Sequence, residues 1–283
     1  DSKIFITLPK LERLGLSEKA GYTFRWNINE YTSLKSGATL EVDKKITVHG
    51  EYQKNYNYDY NDFNAADKVR RSNCYSYAFD FLQNPITNPM EDFGTRNDEI
   101  FAMQPGMWSR DGAAEAAAKY RPKGFYDMRR MGNLIVEYVK KDMKSIGYSF
   151  EEFKLGMSEG HRVLLFVSYS EGTYENPINK KEEVITFYDY HWWRIEADGT
   201  WSNKHGESGI SVNRDVGISI DKLDTAIEQV EDFYIKVDNV QFMEKLAEIN
   251  EILNKVGKKI DLETVKIETK VNLVGCYYIK ENK

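Results

Sequence analysis

Side chains able to act as nucleophile or base near neutral pH are few in this chain. Its 283 residues hold two cysteines, Cys74 and Cys276, and four histidines, His49, His161, His191 and His205. Cys74 stands in "NCYSYAFDF", directly after Asn73, where a helix is expected to begin, and Asn is a good N-cap type. A thiol at a helix start gains from the helix dipole and from backbone N–H groups the helix leaves unbonded, and both favour the thiolate. The same N–H groups stabilise an oxyanion. On that segment alone two readings stay open: a small buried hydrophobe or a nucleophile.

A cysteine nucleophile needs an imidazole to take its proton, and the imidazole needs a third polar group to hold its tautomer. His191 lies in "DYHWWR" on an expected strand, ahead of a turn at Asp198-Gly199, and Asn203 follows on the returning strand. A two-residue turn would put His191 and Asn203 on opposite faces. A three-residue loop with Gly199 in the left-handed conformation instead pairs Asn203 with Trp193, diagonal to His191 on one face. His205, two residues beyond Asn203, shares that face and is the alternative orienter. Cys276, in "VNLVGCYYI", reads as a buried small hydrophobe, and His161, after Gly160, as a loop residue. No His-x-x-x-His, Cys-x-x-Cys or glycine-rich phosphate loop occurs, so neither metal nor cofactor is expected.

The elements that must position these residues are read from periodicity. "GYTFRWNINEY" and "ATLEVDKKITVHGEY" alternate as half-buried strands, with "SLKSG" as a turn between them and "QKNYNYDYNDFN" as an exposed loop after them. The helix opened by Asn73 is expected to run two or three turns, anchored by Ala78, Phe81 and Leu82, and to stop before Asn84-Pro85. "QPGMW" is a turn, and "DGAAEAAAKY" a helix capped by Asp111. "DMRRMGNLIVEYVKKDMKSIG" is an amphipathic helix, with Met131, Leu134, Ile135, Tyr138, Val139 and Met143 on one side and Gly147 as its stop. "SFEEFKLGM" reads as a short helix with a Ser149-x-x-Glu152 capping box. "HRVLLFVSYS" is a central strand, and "NRDVGISIDKL" a turn with a short strand. A late helix is expected at about 240–257, with Phe242, Leu246, Ile249, Leu253 and Val256 as its apolar stripe. "TVKIETKV" and "NLVGCYYIK" close the chain as strands. The class is α+β.

Composition excludes several functions. A charge of −6 with both signs mixed provides no concentrated basic face, so no nucleic-acid partner is expected. No run approaches eighteen apolar residues, and no membrane span is expected. The chain starts at Asp1, not Met. Removal of a signal peptide or of a preceding domain is the expectation, and a secreted or cell-surface location goes with the first.

"NCYSYAFDF", "QPGMW", "YDYHWWRIEADGTWSNKHG", "NRDVGISI" and "LVGCYYI" together resemble a branch of bacterial and phage proteins akin to the NlpC-type cell-wall peptidases of the papain-like fold. The resemblance covers 70–82 and 187–220 well, the tail near 271–280 loosely, and neither residues 1–65 nor the helix near 240–257. It implies a nucleophile-bearing helix packed on an antiparallel sheet, with Cys74 as nucleophile, His191 as base and Asn203 as orienter, although histidine is commoner than asparagine at that third place. It also implies a peptide or peptidoglycan-like substrate. Asn73, Tyr75, Tyr77, Trp192 and Trp193 are the candidate cleft residues, with core packing the equal alternative for each of the four aromatics. The long interval from Cys74 to His191 implies a helical insertion at about 110–160. The expected organisation is an N-terminal extension, 1–65, and a hydrolase domain, 66–283, of unspecified oligomeric state. The other reading is a catalytically silent module of the same fold used for binding.

Overall fold

The computed structural model describes residues 4–55, 73–80, 104–109, 119–197, 199–205, 210–213 and 222–282. In chain order the strands and helices are β1 (Ile4–Thr7), β2 (Tyr22–Asn27), β3 (Ser33–Lys35), β4 (Thr39–Val42), β5 (His49–Lys54), α1 (Cys74–Phe79), α2 (Met128–Ser145), β6 (Tyr148–Glu152), β7 (His161–Glu175), β8 (Glu182–Ile195), β9 (Trp201–Lys204), β10 (Ile210–Asn213), α3 (Lys222–Asn254) and β11 (Lys266–Glu281). The class is α+β, with antiparallel pairing throughout.

The central sheet has the order β10-β9-β8-β7-β11-β6. β7 is interior and wholly buried from His161 to Ser170, which is why that stretch is apolar on both faces. One face carries α1 and α2 over Trp192, Val163 and Leu165. The other carries α3 over Trp193, Ile195 and Phe166. The two closing strands of the sequence reading are one strand, β11, irregular between Leu273 and Gly275.

Several elements differ from expectation. The segment opened by Ser149 is a strand, because the end of β11 needs an edge partner: Phe150 pairs with Ile279 and its ring stacks on Tyr277 at 4.9 Å. The expected insertion at 110–160 is therefore helical only in part, and the "DGAAEAAAKY" helix falls almost wholly outside the described residues. "SLK" is not turn but strand β3, held against β2. α1 is shorter than expected, ending at Phe79 with Asp80 in the left-handed conformation at φ 61°; Phe81 and Leu82, expected to anchor it, and Asn84-Pro85 lie outside the described residues. So do the loop from 56 onward and most of "NRDVGISIDKL". The late helix begins at Lys222, not near 240. Its buried row, Ala226, Val230, Tyr234, Asp238, Phe242 and Leu246, repeats every four residues, while Val256 is exposed.

The N-terminal strands form a two-stranded ribbon, β1-β4, and a three-stranded sheet, β3-β2-β5. The latter is joined to the central sheet through buried polar contacts. Arg162 donates to the Glu30 carbonyl at 2.9 Å and to Ser33 Oγ at 2.6 Å. Gln53 Nε2 donates to the Ser158 carbonyl at 2.9 Å. Cys276, unpaired and buried, reaches the same Glu30 carbonyl.

Candidate active site

α1 begins where its sequence says it should. Asn73 is extended, and its Oδ1 accepts from the Ser76 N–H at 3.0 Å. The helix is short and depends on packing rather than propensity. Phe79 meets the Trp192 ring edge-on at 4.9 Å, and Tyr77 OH donates to Ser202 Oγ at 2.7 Å. His161 is not a loop residue: it opens β7, is buried, and its Nε2 donates to the Ala78 carbonyl at 3.1 Å, tying down the last turn of α1. Tyr75 OH donates to the buried Asp142 carboxylate, which also accepts from the Gly106 and Ser109 N–H groups. One carboxylate thus fastens the expected "PGMW" turn to both helices.

β9 pairs with β8 through Trp193–Asn203, Arg194–Ser202 and Ile195–Trp201. This is the three-residue-loop register, with Gly199 left-handed at φ 84°; Asp198 itself lies outside the described residues. Asn203 is consequently diagonal to His191 on one face. His191 Nε2 donates to Asn203 Oδ1 at 3.2 Å, leaving Nδ1 as the ring's proton-accepting nitrogen. His205 does not serve as the orienter. Its ring lies flat on that of His191, centroids 4.4 Å apart and planes 5° from parallel, so the in-plane nitrogens of the two rings cannot address each other.

Past Trp193 the pairing with β9 ends, and Thr186 to His191 line a cavity of about 500 Å³. Asn73, Cys74 and Gln104 enter it from α1 and the "PGMW" turn, and Tyr234 and Asp238 from α3. Cys74 Sγ reaches the Tyr190 carbonyl at 3.9 Å, and Tyr234 OH reaches the same carbonyl at 3.4 Å. Cys74, packed on the α1–α2 face of the sheet, and His191, which belongs to the other face, thus border one cavity at the strand edge. Of the candidate cleft residues, only Asn73 lines the cavity. Tyr75, Tyr77, Trp192 and Trp193 are core, at most 2% exposed.

Burial dominates the electrostatics. The Cys74 thiol is pushed up to about 12 by desolvation and by the Asp189 charge, against the pull of the Trp192 and Tyr75 N–H groups and of Lys204. Burial takes His191 down to about 3, with His205 adding to the effect. The resting pair is therefore neutral thiol and neutral imidazole. Asp189, Tyr234 and Asp238 were not singled out in the sequence. Asp189 had a signal, standing two residues before His191 on the same strand face.

Comparison of the chain with protein-family models, with curated proteins and with solved structures finds no match. Among the described residues no cluster of three or more His, Cys, Asp or Glu is placed to hold a metal ion, and no helix is long and apolar enough to cross a membrane.

Proposed function

We propose that the chain is a cysteine hydrolase of papain-like fold that cleaves an amide bond, with Cys74, His191 and Asn203 as nucleophile, base and orienter. The observation that carries this reading is the His191–Asn203 hydrogen bond at 3.2 Å, behind the cavity that His191 and Cys74 both line. Peptidoglycan stem peptides are the substrate class that the resemblance to NlpC-type peptidases suggests, and a secreted or cell-surface location goes with it.

With a neutral resting pair, the thiol proton passes to His191 Nδ1 as Sγ attacks the carbonyl carbon. A C–S bond forms, and the carbonyl electrons move to oxygen. The Cys74 N–H, which the ladder of α1 does not use, faces that oxyanion. His191 then returns the proton to the departing amine. Water, deprotonated by the same imidazole, hydrolyses the thioester and releases the acid.

A second reading has its own observation: Cys74 is only 6% exposed and its thiol is held neutral, as in a module that binds without catalysis. Iodoacetamide separates the two, because Cys276 is equally buried and its thiol is likewise pushed up to about 12. Catalysis requires Cys74 to react faster than Cys276, and His191→Ala to remove most of that advantage. Equal rates for the two cysteines in the wild type would leave the binding module standing.

A further inference from the structure

The turn at Gly199 places more than Asn203. In the register that pairs Trp193 with Asn203, two further residues bring His205 opposite His191, where facing side chains stand about 5 Å apart. The two imidazoles stack there, centroids 4.4 Å apart and planes 5° from parallel. Phe233, from α3, stacks on His205 in turn, with centroids 4.0 Å apart and planes 27° from parallel. Two rings cannot share one face of an imidazole at such distances, so His205 lies between them. The stack runs from β8, through the residue that follows β9, to α3.

A base must keep its free nitrogen aimed, because a hydrogen bond weakens steeply away from its preferred direction. The bond from Nε2 to Asn203 Oδ1 fixes one atom of the His191 ring and leaves the ring able to tilt about it. Trp193 meets that ring nearly at right angles, with centroids 6.3 Å apart. His205 covers a whole face at stacking distance, and Phe233 keeps His205 from turning away. His191, His205 and Phe233 all border the cavity, so His205 also holds cavity water off one face of the base. His205 is half-buried and neutral near pH 7, since burial takes it down to about 4, and the stack carries no like charge.

We propose that His205 and Phe233 are positioning residues: they clamp the His191 ring in the plane in which Nδ1 accepts the thiol proton, and so make α3 part of the apparatus of the base. The proposal deepens the hydrolase reading and rests on it for the use of that proton, whereas the clamp on the ring does not need the thiol. Among the described residues, the other titratable groups that share the cavity with the two rings are Cys74 from α1, Tyr188, Asp189 and Tyr190 from β8, and Tyr234 and Asp238 from α3. Lys204 stands on the opposite face of β9 from Asn203 and His205. None of these changes in the variants that follow.

The test compares the full wild-type chain with His205→Phe, His205→Ala and Phe233→Leu. His205→Phe keeps a ring in the stack without its nitrogens, and Phe233→Leu keeps apolar bulk without the backing ring. Nuclear magnetic resonance follows the His191 ring through exchange of its Nε2 proton with water and through its titration, which burial and His205 hold at about 3 in the wild type. In His205→Ala the exchange should quicken at least about tenfold and the titration should rise above pH 5, because the base regains hydration. Phe233→Leu should give part of both changes. His205→Phe should stay within about threefold in exchange and titrate below pH 5. Iodoacetamide labelling of Cys74 relative to Cys276 reads the aim of the base. A stronger base alone would speed it, whereas loss of aim should slow it at least about threefold in His205→Ala, and His205→Phe should recover the wild-type rate. Faster labelling in His205→Ala, an unchanged His191 ring in both His205→Ala and Phe233→Leu, or failure of His205→Phe to restore it overturns the clamp. Equal labelling of the two cysteines in the wild type removes the hydrolase reading instead, and the resonance measurements then decide the clamp alone.

Discussion

The amide of Asn203 and the imidazole of His191 meet across a hairpin whose tip is held from outside. Gly199 lies against the backbone of Ser33, and a Cβ built there would come within 2.6 Å of the Ser33 carbonyl oxygen. Ser33 Oγ in turn accepts from Arg162 and donates to Asn27 Oδ1 at 2.5 Å. The N-terminal strands therefore form part of the scaffold behind the His191–Asn203 pair.

Asn203→Ala removes the acceptor that sets the His191 tautomer and leaves a buried ring N–H without it. Stability is expected to fall by about 1–3 kcal/mol. Alkylation of Cys74 is expected to slow several-fold while that of Cys276 stays unchanged. Asn203→Asp supplies a carboxylate that favours the imidazolium, so the His191 titration should move upward and Cys74 should regain reactivity. The pH profile of alkylation, compared across the three proteins, checks both expectations.

How much of this was legible follows from period and from turn chemistry. The pairing of Trp193 with Asn203 could be worked out because side chains alternate strictly along a strand and Gly199 tolerates a positive φ. The start of α1 was marked by Asn73 alone. By contrast, Ser149 and Glu152 have the spacing of a capping box, and only the distant end of β11 makes their segment a strand. The first half of α3 was hidden for a related reason: β-branched Thr225 and Val230 are weak helix formers, and Asp238 interrupts the apolar row. Trp192 and Trp193 stay open between cleft and core in the sequence because nothing local tells a strand buried on both faces from one bordering a groove. Asp189 and Tyr234 come together only through the packing of α3 on β8.

His161 supplies a pH test that needs no substrate. Burial takes it down to about 4 from 6.5, so the unfolded chain binds the extra proton between those values. Stability due to the neutral buried ring is fully present above pH 6.5 and is lost as the pH falls toward 4. Asp189, raised to about 6, contributes with the opposite sign over part of that range, which is why a variant comparison is needed. His161→Gln retains a donor for the Ala78 carbonyl but cannot titrate. The stability difference between wild type and variant should change by about 3 kcal/mol, in the variant's favour, between pH 7 and pH 4. Urea midpoints measured at half-unit steps would show it, and parallel curves would mean that the ring does not stay neutral in the fold.

Gly199→Ala combines a left-handed backbone with contact against a neighbouring main chain that has no rotamer to yield. A cost of about 1–3 kcal/mol is expected, and with it a weaker His191–Asn203 bond. In the amide exchange of β9, Asn203 should lose protection relative to β7.

Truncation to residues 66–283 tests whether the N-terminal strands are an appendage or part of the core. In the whole chain the Arg162 guanidinium is 1% exposed and donates to Glu30 and Ser33. Deleting residues 1–65 removes both acceptors, together with the Gln53 amide bound to Ser158 and the Tyr22 hydroxyl bound to Glu159. A buried charge stripped of its partners costs about 3–5 kcal/mol. That is a large share of the roughly 5–15 kcal/mol that holds a protein folded. The truncated chain should lose its cooperative urea transition in near-ultraviolet circular dichroism, where the tryptophans packed on β8 and β9 report. Arg162→Met in that shortened background should restore part of the stability, since it removes the charge and keeps the bulk. A truncated chain as stable as the whole would show instead that the central sheet folds without its N-terminal partner, and that the contact at Gly199 contributes nothing to the hairpin.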